Sequence, residues 1–366
     1  MNIPTNSPDY NSVIGQLLAY DEPIQFRNIL DGGDFSVNPW QRNIGGLASG
    51  GVISSAISNT VTYFADRWFA VGGASSSILM AKVAESSLTG FSSSLKLSRS
   101  SANSNTANIN FGQVVETLDS IRLQGQIVTL SFYAKQGANY SGGALTVQII
   151  SGTSSNDTAA NMVSSSWSGQ SVVATKAVAL STSMTRYSLA GSVPSNCTQI
   201  GVLFTWTPSG TAGTDDSITF NGVQLEVAGT SVNTGGTVTI QPSPSQFEHR
   251  DAQVELEICQ RYAWVIPEPA SGVIVGIGGA VAAANNQVFY MATPVQMLKA
   301  PTVTVSAGSF KVAAAAAAAA ATGMAAGTTH TPNAISIVST LTETVGLSAS
   351  LQGGGGNGYI IASSDF

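Results

Sequence analysis

The sequence predicts a mainly β protein: a jelly-roll β-sandwich followed by a short helix and a second, smaller β-sandwich. Three observations carry this. Charged residues are only 9% of the 366-residue chain, against roughly 25% in ordinary globular domains. Ser, Thr, Asn, Gln and Gly take their places, and these suit the wet side of a sheet better than the exposed side of a helix. Short segments alternate apolar and polar side chains, the period-2 signature of half-buried strands. They follow one another through Gly/Ser/Asn-rich turns with little helical periodicity between them, which argues for stacked sheets.

Residues 1–27 form a leader punctuated by Pro4, Pro8 and Pro23. Two helical turns are expected over Ser12–Tyr20, with Val13, Leu17 and Tyr20 on one face, giving an arm suited to attachment. Residues 28–229 make the first sandwich. In Gln126–Lys135, Val128, Leu130, Phe132 and Ala134 point one way, and Thr129, Ser131, Tyr133 and Lys135 the other, so one face is expected to be wet. Ala144–Ile150, Gln199–Trp206 and Ser217–Glu226 read as further strands.

Residues 230–264 are a Gly/Thr/Pro-rich linker and a connector helix. The helix is expected over Asp251–Trp264, with Asp251 as cap, Glu255 and Glu257 in its early turns and Arg261 near its end, as the helix dipole prefers. Val254, Ile258 and Tyr262 would be its apolar stripe. Pro267 and Pro269 stop it. Residues 265–366 return to strands, clearest at Val288–Met291, Thr302–Ser306, Ala334–Val338 and Val345–Ser350. The run Ala313–Ala321 lies among them. Alanine has the best helix propensity, yet so short a run is marginal alone, leaving helix and extended packing both open.

Several function classes drop out. Net charge is −6 with 14 Lys plus Arg, and without a basic stripe no nucleic-acid partner is expected. Cys197 and Cys259 have neither metal-ligand nor disulfide-framework spacing, so two reduced, buried thiols are expected, in keeping with folding in a cytoplasm. Met1–Tyr20 has no basic or apolar region typical of a secretory signal. Ala270–Ala284 falls short of the ~20 residues of a spanning helix and reads as packed strands, so no membrane insertion is expected.

No nucleophile elbow, phosphate loop or zinc spacing is visible, and the chain is expected not to be an enzyme. His249, between Glu248 and Arg250, is expected to hydrogen-bond structurally; His330 sits in a Thr-rich turn. Glycoside hydrolysis needs only two carboxylates, for which Asp66, Asp215, Asp216 and Glu226 are candidates. Asp66 with Arg67 reads better as a fold anchor.

The order of several segments resembles bacteriophage tail-fibre and minor virion structural proteins that carry a carbohydrate-binding-module-like jelly roll. Asn28–Arg42 resembles the opening of that jelly roll, Tyr63–Phe69 its second element, Thr129–Lys135 its central strand and Phe220–Glu226 its closing strand. Phe247–Arg250 followed by Glu255–Tyr262 resembles the helix leading into a C-terminal β domain, and Gly353–Phe366 that domain's last strand. Thr230–Ile240 and the alanine run depart from the pattern.

The resemblance implies a virion component assembled in the host cytoplasm, partnered with itself as a homotrimer, with other virion structural proteins and with host-surface polysaccharide. A tail-fibre or receptor-binding role is the first expectation. A capsid-decorating or tail adaptor protein is the alternative, and a glycan depolymerase the third, although the repeats of a parallel β-helix are missing. Glycan-binding candidates are Tyr133, Lys135, Trp167 and Trp206. No cofactor is expected beyond a candidate structural calcium at Asp31, Asp34 and Glu226, where oxygen ligands cluster near glycines.

Overall fold

The computed structural model describes residues 27–43, 52–234, 236–278, 286–306, 310–314, 317–320, 324–327, 329–340, 349–353 and 358–366. The leader helix expected over Ser12–Tyr20 lies outside them, as does most of the 1–27 arm.

Twelve strands build the first sandwich: β1 (Val52–Ile57), β2 (Thr62–Tyr63), β3 (Phe69–Val71), β4 (Ile78–Ala84), β5 (Ser93–Arg99), β6 (Ile109–Val114), β7 (Ile127–Gln136), β8 (Leu145–Gly152), β9 (Ser171–Val178), β10 (Thr185–Ser192), β11 (Gln199–Trp206) and β12 (Ser217–Val227). Sheet I has the order β1-β4-β5-β12-β7-β10 and sheet II the order β2-β3-β6-β11-β8-β9, with non-sequential neighbours throughout. All pairings are antiparallel. This is the jelly-roll sandwich the alternation predicts.

Period 2 explains the core. Val128, Leu130, Phe132 and Ala134 of β7 are fully buried, as are Ile218 and Phe220 of β12. Rings from both sheets then interlock: Trp68 stacks on Phe111 at 5.1 Å, Phe111 on Phe220 at 5.0 Å, and Phe132 meets Phe204 edge-on at 5.0 Å. Such pairs add about 0.5–1.5 kcal/mol each beyond area burial. A bulge between Asn221 and Gln224, turned at Gly222 with φ +51°, restores the inward pattern at Val223 and Leu225.

Two distant segments close one end. Asn38 accepts from the Asp66 amide and donates to the carbonyls of Gly32 and Asp66, while the Trp68 indole donates to Gly32. The opening and second elements of the resemblance thus form one plug.

A hairpin of β13 (Thr230–Thr234) and β14 (Thr237–Gln241) leaves the sandwich. Residues 243–250 then run back across sheet I. Ser243 donates to Thr129, Ser245 to Glu226 and Glu248 to Gln224. Thr129 and Ser131 are therefore buried. The wet face expected along β7 is dry over that half, because the linker supplies the polar partners that water would have given.

Among the described residues, two short α-helices, α1 (Thr117–Ser120) and α2 (Ala159–Val163), precede the connector helix α3 (Ala252–Gln260). Asp251 caps α3 by accepting from Gln253. Its expected stripe is corrected: Val254 is exposed and Ile258 half-buried, while Glu255, Cys259 and Tyr262 are buried. Glu255 accepts from Gly32 and faces Arg250 at 3.5 Å, so ionic contacts, not apolar periodicity, orient the helix.

The second sandwich packs a three-stranded sheet on a seven-stranded one. The first is β15 (Ala263–Pro267), β24 (Tyr359–Ser363) and β18 (Thr302–Val305) in that order. The second contains β16 (Ile274–Gly278), β17 (Asn286–Ala292), β19 (Lys311–Ala314), β20 (Ala317–Ala320), β21 (Met324–Ala326), β22 (Ala334–Thr340) and β23 (Ala349–Gln352). Phe289, Phe310, Ile335, Ile337, Leu351 and Ile360 fill the space between them. Within the alanine run, β19 and β20 pair antiparallel. Pairing with β23 overrides its helix propensity.

Candidate functional site

In this charge-poor chain the ionic groups go inward. Asp34, Asp66, Arg67, Glu85, Arg99, Glu116, Asp216, Glu226 and Glu255 are all buried, each with hydrogen-bonding partners. Most gather where the first sandwich meets α3 and the chain's last strand. The Arg67 guanidinium lies 3.4 Å from the centre of the Tyr262 ring, pairs with Asp31 at 3.2 Å and donates to Val114 at 2.7 Å. Glu116 receives Arg261 through two bonds of 2.8 and 2.6 Å, and the Tyr262 hydroxyl at 2.9 Å. Burial would raise the Glu116 pKa, but these donors outweigh it and hold the group below the ordinary range.

Arg42 pairs with Asp365 in the same region. Asp66 is sealed beneath, and burial pushes its carboxyl up to about 6 against the pull of Arg42. The Asp66–Arg67 anchor read from the sequence is present. A cleft of about 690 Å³ opens beside this network; six of its charges pair as Glu116–Arg261, Asp119–Arg122 and Asp31–Arg250, and Glu257 accepts from Gln253.

The outer face of sheet I carries two of the expected residues. Lys135 lines a trough of about 440 Å³ with Lys96, Glu85, Asp215, Ser217 and Thr219. Register puts Lys96, Thr219 and Lys135 side by side on three adjacent strands. Lys96 is paired with Asp215 at 2.7 Å. Asp215 also accepts from Ala138 and Ser217. Tyr133 is half-buried one step along the same face, edge-on to Phe91 at 6.0 Å and 5.7 Å from the Arg186 guanidinium.

The outer face of sheet II is different. A groove of about 360 Å³ crosses β6, β11, β8 and β9, lined by Asn108, Asn110, Thr146, Gln148, Thr205 and Thr207 above an apolar floor that includes Ile150, Leu203 and Val172. Asn110, Thr205 and Thr146 are direct cross-strand neighbours. Thr205 donates to Asn110 and Thr207 to Asn108, both at 2.8 Å. Among the described residues, the side chains of Thr146 and Gln148 have no protein hydrogen-bond partner. The groove contains no charged residue.

The two tryptophan candidates are corrected. Trp167 is 3% exposed, with its indole donating to Thr158, and Trp206 is 1% exposed, with its indole donating to Ser141 and its ring stacked on Tyr140. Large rings dominate cores, and neither offers a free face. Sequence reading missed the sheet II groove. The signal was there in Thr146 and Gln148, the polar alternates of a segment already recognised as a strand, but β6 had not been identified beside it.

Asp31, Asp34 and Glu226, the candidate calcium ligands, are each committed elsewhere. Asp31 faces Arg67 and Arg250, Asp34 bonds His249 at 2.7 Å, and Glu226 takes both donors of Ser245 and the Arg27 guanidinium. Among the described residues no group of three or more His, Cys, Asp or Glu is disposed to hold a metal ion. Cations and hydroxyls thus supply the partners an ion would have supplied. Asp216 is likewise bound to Arg99 at 2.8 Å and to Ser141. His249 has the structural bond expected of it, and His330 accepts from the Ser336 amide. Cys197 and Cys259 are free and buried.

No protein-family model matches the chain, and no curated protein matches it. It is similar to the enzymatically active domain of tailspike protein 4 of bacteriophage CBA120, at 15% identity, covering 55% of this chain and 22% of that one, with a TM-score of 0.32. It is also similar to TmCBM61 in complex with β-1,4-galactotriose, at 9% identity, 55% and 99% coverage and a TM-score of 0.30. A third is the C-terminal family 22 carbohydrate binding module of Clostridium thermocellum Xyn10B, at 18% identity, 45% and 89% coverage and a TM-score of 0.29. At TM-scores of this size the sandwich is established by its own strand pairing rather than by these likenesses.

Proposed function

We propose that this chain is a non-enzymatic structural protein of a bacteriophage particle, of tail-fibre or receptor-binding type, that adheres to host-surface saccharide through the sheet II groove. The single observation behind the adhesive role is that groove: neutral amides and hydroxyls with unused hydrogen-bonding capacity, beside apolar side chains on the part of the sheet face that α2 and Trp167 leave open. A sugar ring offers the complement, hydroxyls around its edge and C–H groups on its faces. Displacing water there leaves polar groups paired, and a face without ionic groups avoids the heavy desolvation cost of charge. The particle role is supported by the ordered segments of the sequence that resemble virion proteins.

The test is calorimetric titration of the full chain with soluble neutral β-1,4-galactan and xylan. Binding is expected, and Gln148→Ala is expected to weaken it about tenfold, the loss of one or two buried hydrogen bonds. No binding to any neutral glycan, or an unaffected variant, overturns the adhesive reading. Incubation with host polysaccharide is expected to release no reducing sugar, and release would overturn the non-enzymatic one. Deleting residues 1–27 is expected to block incorporation into particles while both sandwiches stay folded. A chain that enters particles yet binds no glycan would be the capsid-decorating or adaptor protein instead.

A further inference from the structure

We infer that the outer face of sheet I is a second binding site, separate from the sheet II groove, which takes the carboxylate of an acidic saccharide on the Lys135 ammonium. The starting observation is one of charge. The chain has 14 Lys plus Arg and a net charge of −6, yet Lys96, Lys135 and Arg186 share this one face.

Of these three, only Lys96 makes a salt bridge to a described residue, Asp215 at 2.7 Å. Arg186 spends its guanidinium on neutral oxygens, the Ser131 hydroxyl at 3.0 Å and the Ser245 carbonyl at 2.5 Å. Lys135 makes no salt bridge to a described residue. Its charge reaches Glu85 in the trough, whose oxygens accept from the Ser87 amide and hydroxyl at 2.6 and 2.5 Å and from the Ser94 hydroxyl at 3.0 Å.

The trough therefore holds two cations and two carboxylates, but Lys96 takes Asp215 and serine donors take the Glu85 oxygens, so the Lys135 ammonium has no bonded carboxylate among the described residues. A trough balanced in this way suits a ligand with one negative charge. An anion placed beside Lys135 gains a charge-assisted contact without breaking an existing pair. Thr219 lies between Lys96 and Lys135, and the trough's other wall carries Thr182, so hydroxyl partners surround the ammonium. Tyr133, one pleat away and half-buried, presents a ring beside it. One cation, several hydroxyls and an adjacent ring match a sugar unit bearing a single carboxylate better than a densely charged polyanion. The site shares with the sheet II groove only the assignment of saccharide as ligand.

The test uses the full chain and three probes: polygalacturonate, neutral β-1,4-galactan and poly-glutamate. Polygalacturonate is expected to bind, more weakly as salt is raised. Lys135→Gln is expected to cost about tenfold in that affinity, Lys135→Arg to retain most of it, and both to leave galactan binding unchanged. Gln148→Ala is expected to show the opposite pattern, which separates failure of this site from failure of the groove. A wild-type melting profile for Lys135→Gln establishes that the fold is intact. The assignment is overturned if the wild-type chain does not bind polygalacturonate or if Lys135→Gln binds it as tightly. It is also overturned if poly-glutamate competes equally, since a bare electrostatic patch would then explain the result.

Discussion

The two outer faces of the first sandwich are built on the same pleated frame and have opposite fates. On sheet I, the polar alternates of β7 and β12 run beneath residues 243–250, and Thr129, Ser131, Gln224 and Glu226 are buried there. On sheet II, Asn110, Thr146, Gln148 and Thr205 occupy equivalent alternate positions and stay partly open in the groove. The covered face needs charge to anchor its cover: Glu226 holds Ser245 and Arg27, and Arg186 holds the Ser245 carbonyl. The groove on the other face is neutral, with Thr205 paired to Asn110 and Thr207 to Asn108. Sheet I is covered by a polar linker anchored through charge, whereas sheet II is covered in part by the apolar side chains of α2 and Trp167 and keeps a neutral groove beside them.

The largest effect that would break this contrast is expected from Glu226→Ala. The carboxylate is 1% exposed and receives two bonds from Ser245, one from Gln224 and the Arg27 ion pair. Removing it strands several donors, at a cost of about 3 kcal/mol. Urea unfolding would measure this, and an unchanged midpoint would show that the cover is not structural. Galactan binding on the opposite face should survive wherever the protein remains folded.

Gly222→Ala is expected to do less, about 1–2 kcal/mol. At φ +51° the added Cβ would lie 3.0 Å from both Phe91 and Tyr133. The bulge that aligns Tyr133 would shift, so polygalacturonate binding should fall while the sheet II groove is unaffected. Equal losses on both faces would argue that the two are mechanically coupled.

The smallest effect is the pH response of the trough. Burial would raise Asp215, but the hydrogen bonds from Lys96, Ala138 and Ser217 outweigh it and bring the carboxyl down to about 2, from an ordinary 3.8. A depressed carboxylate contributes stability that is present in full above the unfolded value and is lost as pH falls through the folded one. The Lys96–Asp215 pair should therefore weaken between pH 4 and 2, by less than about 1 kcal/mol because the group is over one-third exposed and screened by solvent. Asp215→Asn should flatten that part of an acid-stability profile and leave it unchanged above pH 5.

Legibility followed the range of the interactions. The inward set of β7 could be read residue by residue, because a strand's own alternation decides which side chains share a face. The Asp251 cap was equally local. The stripe of α3 was misread because Glu255 is drawn inward by Gly32 and Arg250, contacts from residues distant in sequence or outside the helix. Trp167 and Trp206 looked like platforms because Ser and Thr surround them in sequence, whereas Met162, Tyr140 and the strands surround them in space. Lys135 was legible as a cation on the polar side of its strand. Its lack of a salt bridge was not, since that depends on where Glu85 and Asp215 spend their oxygens.

By itself the sequence determined the class of the molecule. Few charges, period-2 patterning and punctuating turns suffice for two antiparallel sandwiches joined by a capped helix, because each of these acts over a few residues. Only the tertiary structure decided what lies on each sheet. It roofed half of one face with a polar linker, packed α2 on part of the other, drew the scarce charges into the junction and paired two extended stretches of the alanine run. Alternation says which side chains travel together, but whether they meet water, a linker or a counter-charge is set by contacts hundreds of residues apart.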